Sequence, residues 1–562
     1  MITGMCMEDR VKRGSTMEDK GVLKSAFTLS VAVCFMFFLY APVELYLTNT
    51  EEFWYDLWVL LPIMLCVFAV FTAVCMGGFY LLYRCSMRLY QAAVLFLFVV
   101  FVCSYVQGNY LIKYLPVLDG NRVDWSLYTK GRIQSIVLWI AVVLLVAILV
   151  RFLTMKRTYV LIRVVSICML LMFAVTLTTL CMANDGLKSK ENICVTTDYE
   201  FTMSSDQNFI ILLMDTLDGG AFSDVVVGNE EMESVFEDFT YYDNTVSAYP
   251  HTKYNIPFLL SGMWFENGTT NEEYFEKVLT TSPFFEELEQ QGYAIDLYTP
   301  DFDGFNEQTR HRFENVGMYT KKVSSYTAFA RWQILLVGTK YAPHDLKRFS
   351  YVNPGAFERL KVAEEGREPF HMDNNMDFYQ AVAEQPMQYR EDKNFKFYHL
   401  WGAHPPYLYD GDLNYMPEGG TFPQSIALCV TMADSYLEKL KENGMYDNSV
   451  IIILGDHGQG EYYEQNNMNQ HPALLIKGIG EKHEFQVNNK PVSFADMQDA
   501  YINLLDGSGG GNVFDALPSQ RERKFIWYDI KDSNHMTEYL QTGQSGDMST
   551  MVLTGQEFNA GK

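Results

Sequence analysis

Hydrophobic residues are distributed in two different ways along this chain, with the change near residue 183. Before it, apolar residues come in long unbroken runs. Five of these, near 24–48, 56–83, 90–110, 134–153 and 159–182, are long enough for helices that cross a bilayer, which takes about 20 residues each. No small-residue cleavage site follows the first run, and more spans follow it, so it reads as a retained anchor. Residues 184–207 are polar, show no clear period and read as a linker. Asn208–Met214 (NFIILLM) then reads as a short buried strand. Helical patterns near 252–262, 283–291, 373–385, 421–443 and 493–505 follow, mixed with strand patterns near 293–298, 395–400, 449–455 and 524–529. That alternation predicts a mostly parallel α/β sheet with helices on both faces. The expected organisation is a transmembrane domain over 1–183, the linker, an α/β domain over 208–530, and a Gly/Ser/Thr-rich tail over 531–562, peripheral hairpin or frayed.

Charge adds sidedness. The chain carries a net −25. Residues 1–183 hold 15 Lys+Arg and 10 Asp+Glu, which leaves 28 and 58 for the remainder. Basic residues gather in the N-terminal tail (Arg10, Lys12, Arg13, Lys20, Lys24), after the second run (Arg84, Arg88) and after the fourth (Arg151, Lys156, Arg157). Loops rich in Lys and Arg stay cytoplasmic. Five spans then put everything after about residue 183 outside the cell. The acidic second half argues against nucleic acid as a partner, because phosphate backbones need clusters of Lys and Arg. All ten His stand at 251 or later, so polar chemistry belongs to the second half. Eight of the ten Cys fall before 185, which leaves Cys194 and Cys429 and at most one bridge in the α/β domain.

Four stretches could carry chemistry. Val450–Gly460 (VIIILGDHGQG) is a β-branched strand broken at Gly455, with Asp456 and His457 side by side at its carboxyl end. Open α/β sheets place their chemistry at such ends, and a carboxylate beside an imidazole suits a divalent metal. Asp215-Thr216 ends the first strand in the same way. A lone Asp there also serves as a helix cap. Thr252, in Pro250–Pro257, opens a helix; it is either an N-cap or a nucleophile whose hydroxyl a metal activates. Finally, His404 follows the strand near 395–400, and His471 stands in NQHPALLIKG. Imidazoles there can bind phosphate, ligate a second metal or protonate a leaving group. His399 reads as structural, within the strand.

These motifs, in this order, resemble the sulfatase/alkaline phosphatase superfamily. More narrowly the chain is similar to its membrane-anchored lipid-phosphate transferases: lipoteichoic acid synthases, lipid A phosphoethanolamine transferases and phosphoglycerol transferases of periplasmic glucans. The resemblance implies an α/β sulfatase-like domain behind about five spans. It implies Asp215, Thr252, Asp456 and His457 as metal ligands, Thr252 as the nucleophile, and His404 and His471 as substrate-binding residues. Thr252 stands five residues before Pro257, as in the phosphoethanolamine enzymes. At position 215 the transferases carry Glu, whereas many sulfatases carry Asp. No C/S-x-P-x-R motif, which sulfatases need to make formylglycine, lies near Thr252.

The expected enzyme moves a phospho-head group from a membrane phospholipid donor, through phospho-Thr252, to a cell-surface glycan acceptor. The expected cofactor is a divalent metal ion, Mn²⁺, Mg²⁺ or Zn²⁺. The expected place is a bacterial-type plasma membrane with the catalytic domain extracytoplasmic. A hydrolase using the same site, and a non-catalytic glycan-binding membrane protein, are the two alternatives.

Overall fold

A computed structural model describes residues 17–561, apart from 51–52, 112–122, 124, 185–186, 190–192, 300–303, 321, 351, 353–354, 364–365, 373, 461–468, 508–509 and 531. The chain divides into two compact units. One comprises Met1–Lys190 and Lys321–Val362, the other Glu191–Thr320 and Ala363–Lys562.

The first unit holds five apolar helices long enough to cross a bilayer, as the runs predict: α1 (Gly21–Thr48), α2 (Leu57–Cys85), α3 (Met87–Tyr110), α4 (Trp125–Phe152) and α5 (Met155–Ala183). In α1 a π-helical turn over Met36–Tyr40 precedes Pro42. Proline has no N–H to give the preceding turn, so that turn lacks one helical bond. Residues 321–362, which lie within the span expected to be α/β, belong to this unit. Their helix, Tyr326–Tyr341, packs on the bundle. The Gln333 amide donates to the Tyr55 hydroxyl. Lys340 Nζ donates to both carboxylate oxygens of Glu44 at 2.7 Å. The Tyr341 ring lies so close to Gly108 that a Cβ there would come within 2.4 Å of it.

The second unit is built on a seven-stranded sheet. Its strands are β1 (Asn208–Met214), β2 (Thr240–Tyr242), β3 (Tyr293–Tyr298), β4 (Lys393–Leu400), β5 (Ser449–Leu454), β6 (Leu474–Lys477) and β7 (Gln486–Asn488). Their spatial order is β7-β2-β6-β5-β1-β4-β3. Four pairings are parallel, and β6 runs antiparallel to both of its neighbours. The central strand β1 is buried at all seven positions and β5 at all six. This is why both read as continuous apolar runs and not as alternating ones. Burial of these strands and of helices α6 (Gly219–Val226), α7 (Thr252–Ser261), α8 (Asn375–Glu384) and α9 (Phe422–Glu442) makes one core.

The topology sets the site. Strands β1, β2, β4 and β5 all end at one edge of the sheet, and the reversed β6 begins there. Beyond residue 522 the chain forms a three-stranded antiparallel sheet, Arg523–Asp529, Asp532–Gln541 and Met551–Asn559. The tail is thus paired into the unit and not frayed. Cys429 is a buried free thiol.

Candidate metal centre

The register β1–β4–β5 aligns Met214 with Leu400 and Leu213 with Leu454, so Asp215 and Gly455-Asp456 leave adjacent strands together. Gly402 lets β4 turn away beside them. Its φ is +58°, and a Cβ would stand 2.6 Å from the Asp215 amide nitrogen. The Asn375 side chain of α8 pins this turn, accepting from Gly402 N at 2.8 Å and donating to Gly402 O at 2.7 Å.

One donor atom each of Asp215, Asp456 and His457 lies within 4.8 Å of the others, and all three residues are buried. His457 Nε2 is 3.5 Å from Asp456 Oδ2 and 3.8 Å from Asp215 Oδ1. The two oxygens of Asp456 differ. Oδ1 accepts from the backbone amides of Thr216 (3.1 Å) and His457 (2.9 Å). Oδ2 is buried and, among the described residues, has no hydrogen-bond partner within normal reach, His457 Nε2 standing 3.5 Å away. A buried carboxylate oxygen left this way is costly unless something charged meets it. His457 Nδ1 lies 2.8 Å from the Gly458 carbonyl, so Nδ1 keeps a proton, and Nε2 faces the carboxylates as the atom whose lone pair would meet a cation. Two carboxylates and an imidazole with its lone pair inward are the donor set that Mn²⁺, Mg²⁺ and Zn²⁺ take, and they fit such an ion here.

The charges are strongly coupled. Burial alone would raise Asp215, but His404, His399 and His457 outweigh it and hold this carboxyl well below its usual range. Burial and the neighbouring Asp215 charge push Asp456 up. Burial lowers His457, yet Asp456 and Asp215 overcome it and the imidazole ends up raised. One carboxylate is therefore kept ionised and the other resists ionisation, as expected of acids that await a cation.

Thr252 is the first residue of α7, after His251 at the cap. Its hydroxyl donates to Asp215 Oδ2 at 3.5 Å. The turn before the helix is held by Asn255, whose Oδ1 accepts from Tyr249 N at 2.9 Å while Nδ2 donates to Tyr249 O at 2.5 Å. The structure thus gathers Asp215, Thr252, Asp456 and His457. His404 follows β4; its Nδ1 is 2.7 Å from the Pro405 carbonyl, and its ring meets Trp401 edge-on at 4.4 Å. His471 reaches the same sheet edge through β6, but its Nε2 lies 3.0 Å from the Asp243 carbonyl, and its ring fills the space above Gly219.

Three supporting residues escape sequence reasoning. His399 places Nε2 3.7 Å from Asp215 Oδ2, with Nδ1 3.2 Å from Thr299 Oγ1. Asp218 caps α6 through Ala221 N and accepts from Gln459 N, both at 2.9 Å, tying the two ligand loops together. His251 packs edge-on to His457 at 5.7 Å and to Tyr528 at 5.3 Å. Burial, then the His457 charge, lowers it to about 3, so it is neutral. From the sequence Asp218 and His251 stand close to the site motifs and His399 within a strand, but none of the three has a role there.

The family model described as Sulfatase matches residues 207–507, more than half of the chain. No curated protein matches. Among solved structures, Ps i-CgsB is 13% identical with a TM-score of 0.39, covering 63% of this chain and 86% of that one. PsFucS1 sulfatase from Pseudoalteromonas sp. is 16% identical with a TM-score of 0.37, covering 64% and 82%. A protein in the alkaline phosphatase superfamily from Vibrio parahaemolyticus is 12% identical with a TM-score of 0.35, covering 65% and 85%.

Proposed function

We propose that this chain, which belongs to the sulfatase family, moves a phospho-head group of phosphoglycerol or phosphoethanolamine type from a membrane lipid to a cell-envelope glycan. The observation that carries the reading is the Thr252 hydroxyl at a helix N-terminus, 3.5 Å from a carboxylate of the buried donor cluster. A hydroxyl nucleophile with no formylglycine motif beside it suits phosphoryl transfer better than sulfuric-ester cleavage.

Asp215, Asp456, His457 and the Thr252 oxygen would hold a divalent ion, which would supply Lewis acidity toward the Thr252 hydroxyl and the phosphoryl oxygens. Asp215 orients the Thr252 hydroxyl. Backbone amides at the start of α7 favour an anion in front of it. Thr252 Oγ forms a bond to phosphorus while the bond from phosphorus to the lipid alcohol oxygen breaks. With Nδ1 donating to Pro405 O, the Nε2 lone pair of His404 takes the proton that the Thr252 hydroxyl gives up and passes it to that leaving oxygen. An acceptor hydroxyl then bonds to phosphorus as the bond from phosphorus to Thr252 Oγ breaks, and the acceptor's proton passes through His404 Nε2 to Thr252 Oγ. His471 contributes to the phosphate-binding edge. The Lys/Arg bias of the loops supports an extracytoplasmic domain on a bacterial-type plasma membrane. The spans keep the domain tethered to the bilayer that holds the donor.

Asp at position 215, shared with many sulfatases, favours a second reading in which water is the final acceptor. Incubating the full chain with Mn²⁺ and phosphatidylglycerol or phosphatidylethanolamine and measuring intact mass tests the first step. We expect an adduct on Thr252 that is absent in Thr252→Ala. Failure of the wild type to form it with either lipid overturns the covalent reading. Free head group released with no labelled glycan selects the hydrolase.

A further inference from the structure

The inserted segment is a basic island in an acidic half-chain. Residues 321–350 carry Lys321, Lys322, Arg331, Lys340, Lys347 and Arg348 against Asp345 alone, whereas the chain after 183 holds twice as many acids as bases. Two of these cations are used inside the unit. Lys340 pairs with Glu44. Lys347 donates to the Thr339 and Lys340 carbonyls. Lys322, Arg331 and Arg348 are exposed. Among the described residues none of these three forms an ion pair.

The segment packs on the first turns of the span α4. The His344 amide donates to Ser135 Oγ at 3.2 Å, and the His344 ring meets Trp125 edge-on at 5.5 Å. Arg132 pairs with Asp345 at 2.7 Å. All three partners lie in the first turns of α4, and Trp125 packs with Tyr128 at 6.0 Å. Trp and Tyr at a span's end mark the interface between hydrocarbon and water. At that level the segment exposes Tyr326 (58%), Leu346 (52%) and Phe349 (68%), beside Arg331 and Arg348. Arg348 stacks on the Phe349 ring at 4.7 Å, so an apolar body and a cationic head sit together at this bundle end, an arrangement that suits a boundary between hydrocarbon and headgroups.

We propose that Lys322–Phe349 seats on the leaflet it borders and binds anionic phospholipid headgroups through Lys322, Arg331 and Arg348, with Leu346 and Phe349 entering the acyl boundary. Positive charge near an anionic surface is attracted by about five-fold in affinity per Lys or Arg. The segment therefore concentrates anionic lipid around the membrane unit. This binding does not depend on the chemistry at Thr252, so its readout is lipid retention and not turnover.

The test uses the full chain in mixed micelles with equal phosphatidylglycerol and phosphatidylcholine, and native mass spectrometry counts the lipids retained. The wild type is expected to prefer phosphatidylglycerol. The combined Lys322→Ala, Arg331→Ala and Arg348→Ala variant is expected to lose about five-fold for each charge removed. Arg331→Lys with Arg348→Lys, which keeps the charge, is expected to retain the preference and guards against a folding defect. A wild type with no preference, or an alanine variant with the wild-type preference, overturns the proposal. So does loss of the preference to free glycerol phosphate at the lipid's own concentration, which identifies a soluble-anion site.

Discussion

At the scale of single residues, Asp456 is held in tension. Its Oδ1 is fixed by two backbone amides, and its Oδ2 is buried beside Asp215 with no hydrogen-bond partner among the described residues. In metal-free protein its raised pKa means that the folded state keeps a proton the unfolded state gives up above about pH 4. Stability therefore falls as pH rises through that window. Asp456→Asn removes this slope, so in chelator the variant should melt above the wild type at neutral pH. The same substitution should weaken Mn²⁺ binding by at least about 100-fold; scanning calorimetry in chelator checks the first outcome and titration calorimetry the second. His457 has the opposite sign. Its raised pKa adds stability below about pH 6.5, and that contribution is lost as pH rises through the higher folded value. Since a ligating imidazole must be neutral, metal uptake near neutral pH should release a proton from His457. Calorimetry in buffers of different ionisation enthalpy reads that proton, and identical heats in all buffers would contradict it.

At the scale of elements, the turn after β4 is as important as the ligands. Gly402→Ala puts a Cβ into the Asp215 backbone at a positive φ, so it should cost about 1–3 kcal/mol in denaturant unfolding and lower metal affinity with it. Strand ends of this kind were legible where burial on both faces writes a continuous apolar run, as in NFIILLM and VIIIL. That is why Asp215 and Asp456-His457 could be read from the sequence. Strands β2 and β6, of three and four residues, are too short to display a period. Without them nothing in the sequence explained how Thr252 and His471 reach the same edge. The inserted helix was hidden for another reason. Its attachment depends on pairs such as Lys340 with Glu44, 296 residues apart, and local pattern does not say on which unit an apolar face will pack. The roles of His399 and His251 were likewise invisible, since both depend on which ring faces which carboxylate or imidazole.

At the scale of the whole molecule, the insertion leaves after the strand Val316–Thr320 and returns through Val362–Ala363, its neighbour in a three-stranded sheet. Neighbouring strands are about 4.8 Å apart, so a few Gly and Ser residues can replace 321–361. A chain starting at residue 191 with that replacement should fold, bind Mn²⁺ with wild-type affinity by calorimetry, and show no preference for anionic vesicles in sedimentation. Retained preference would locate the lipid contact elsewhere. The same connectivity bears on shedding by proteases. The chain passes between its two units at 190–191, again at 320–321 and a third time at 362–363. A single cut in the linker would leave the α/β unit attached through the insertion, which the Glu44–Lys340 and Tyr55–Gln333 contacts hold to the helices. Release into solution takes cuts at all three crossings, so a nicked enzyme stays on its membrane.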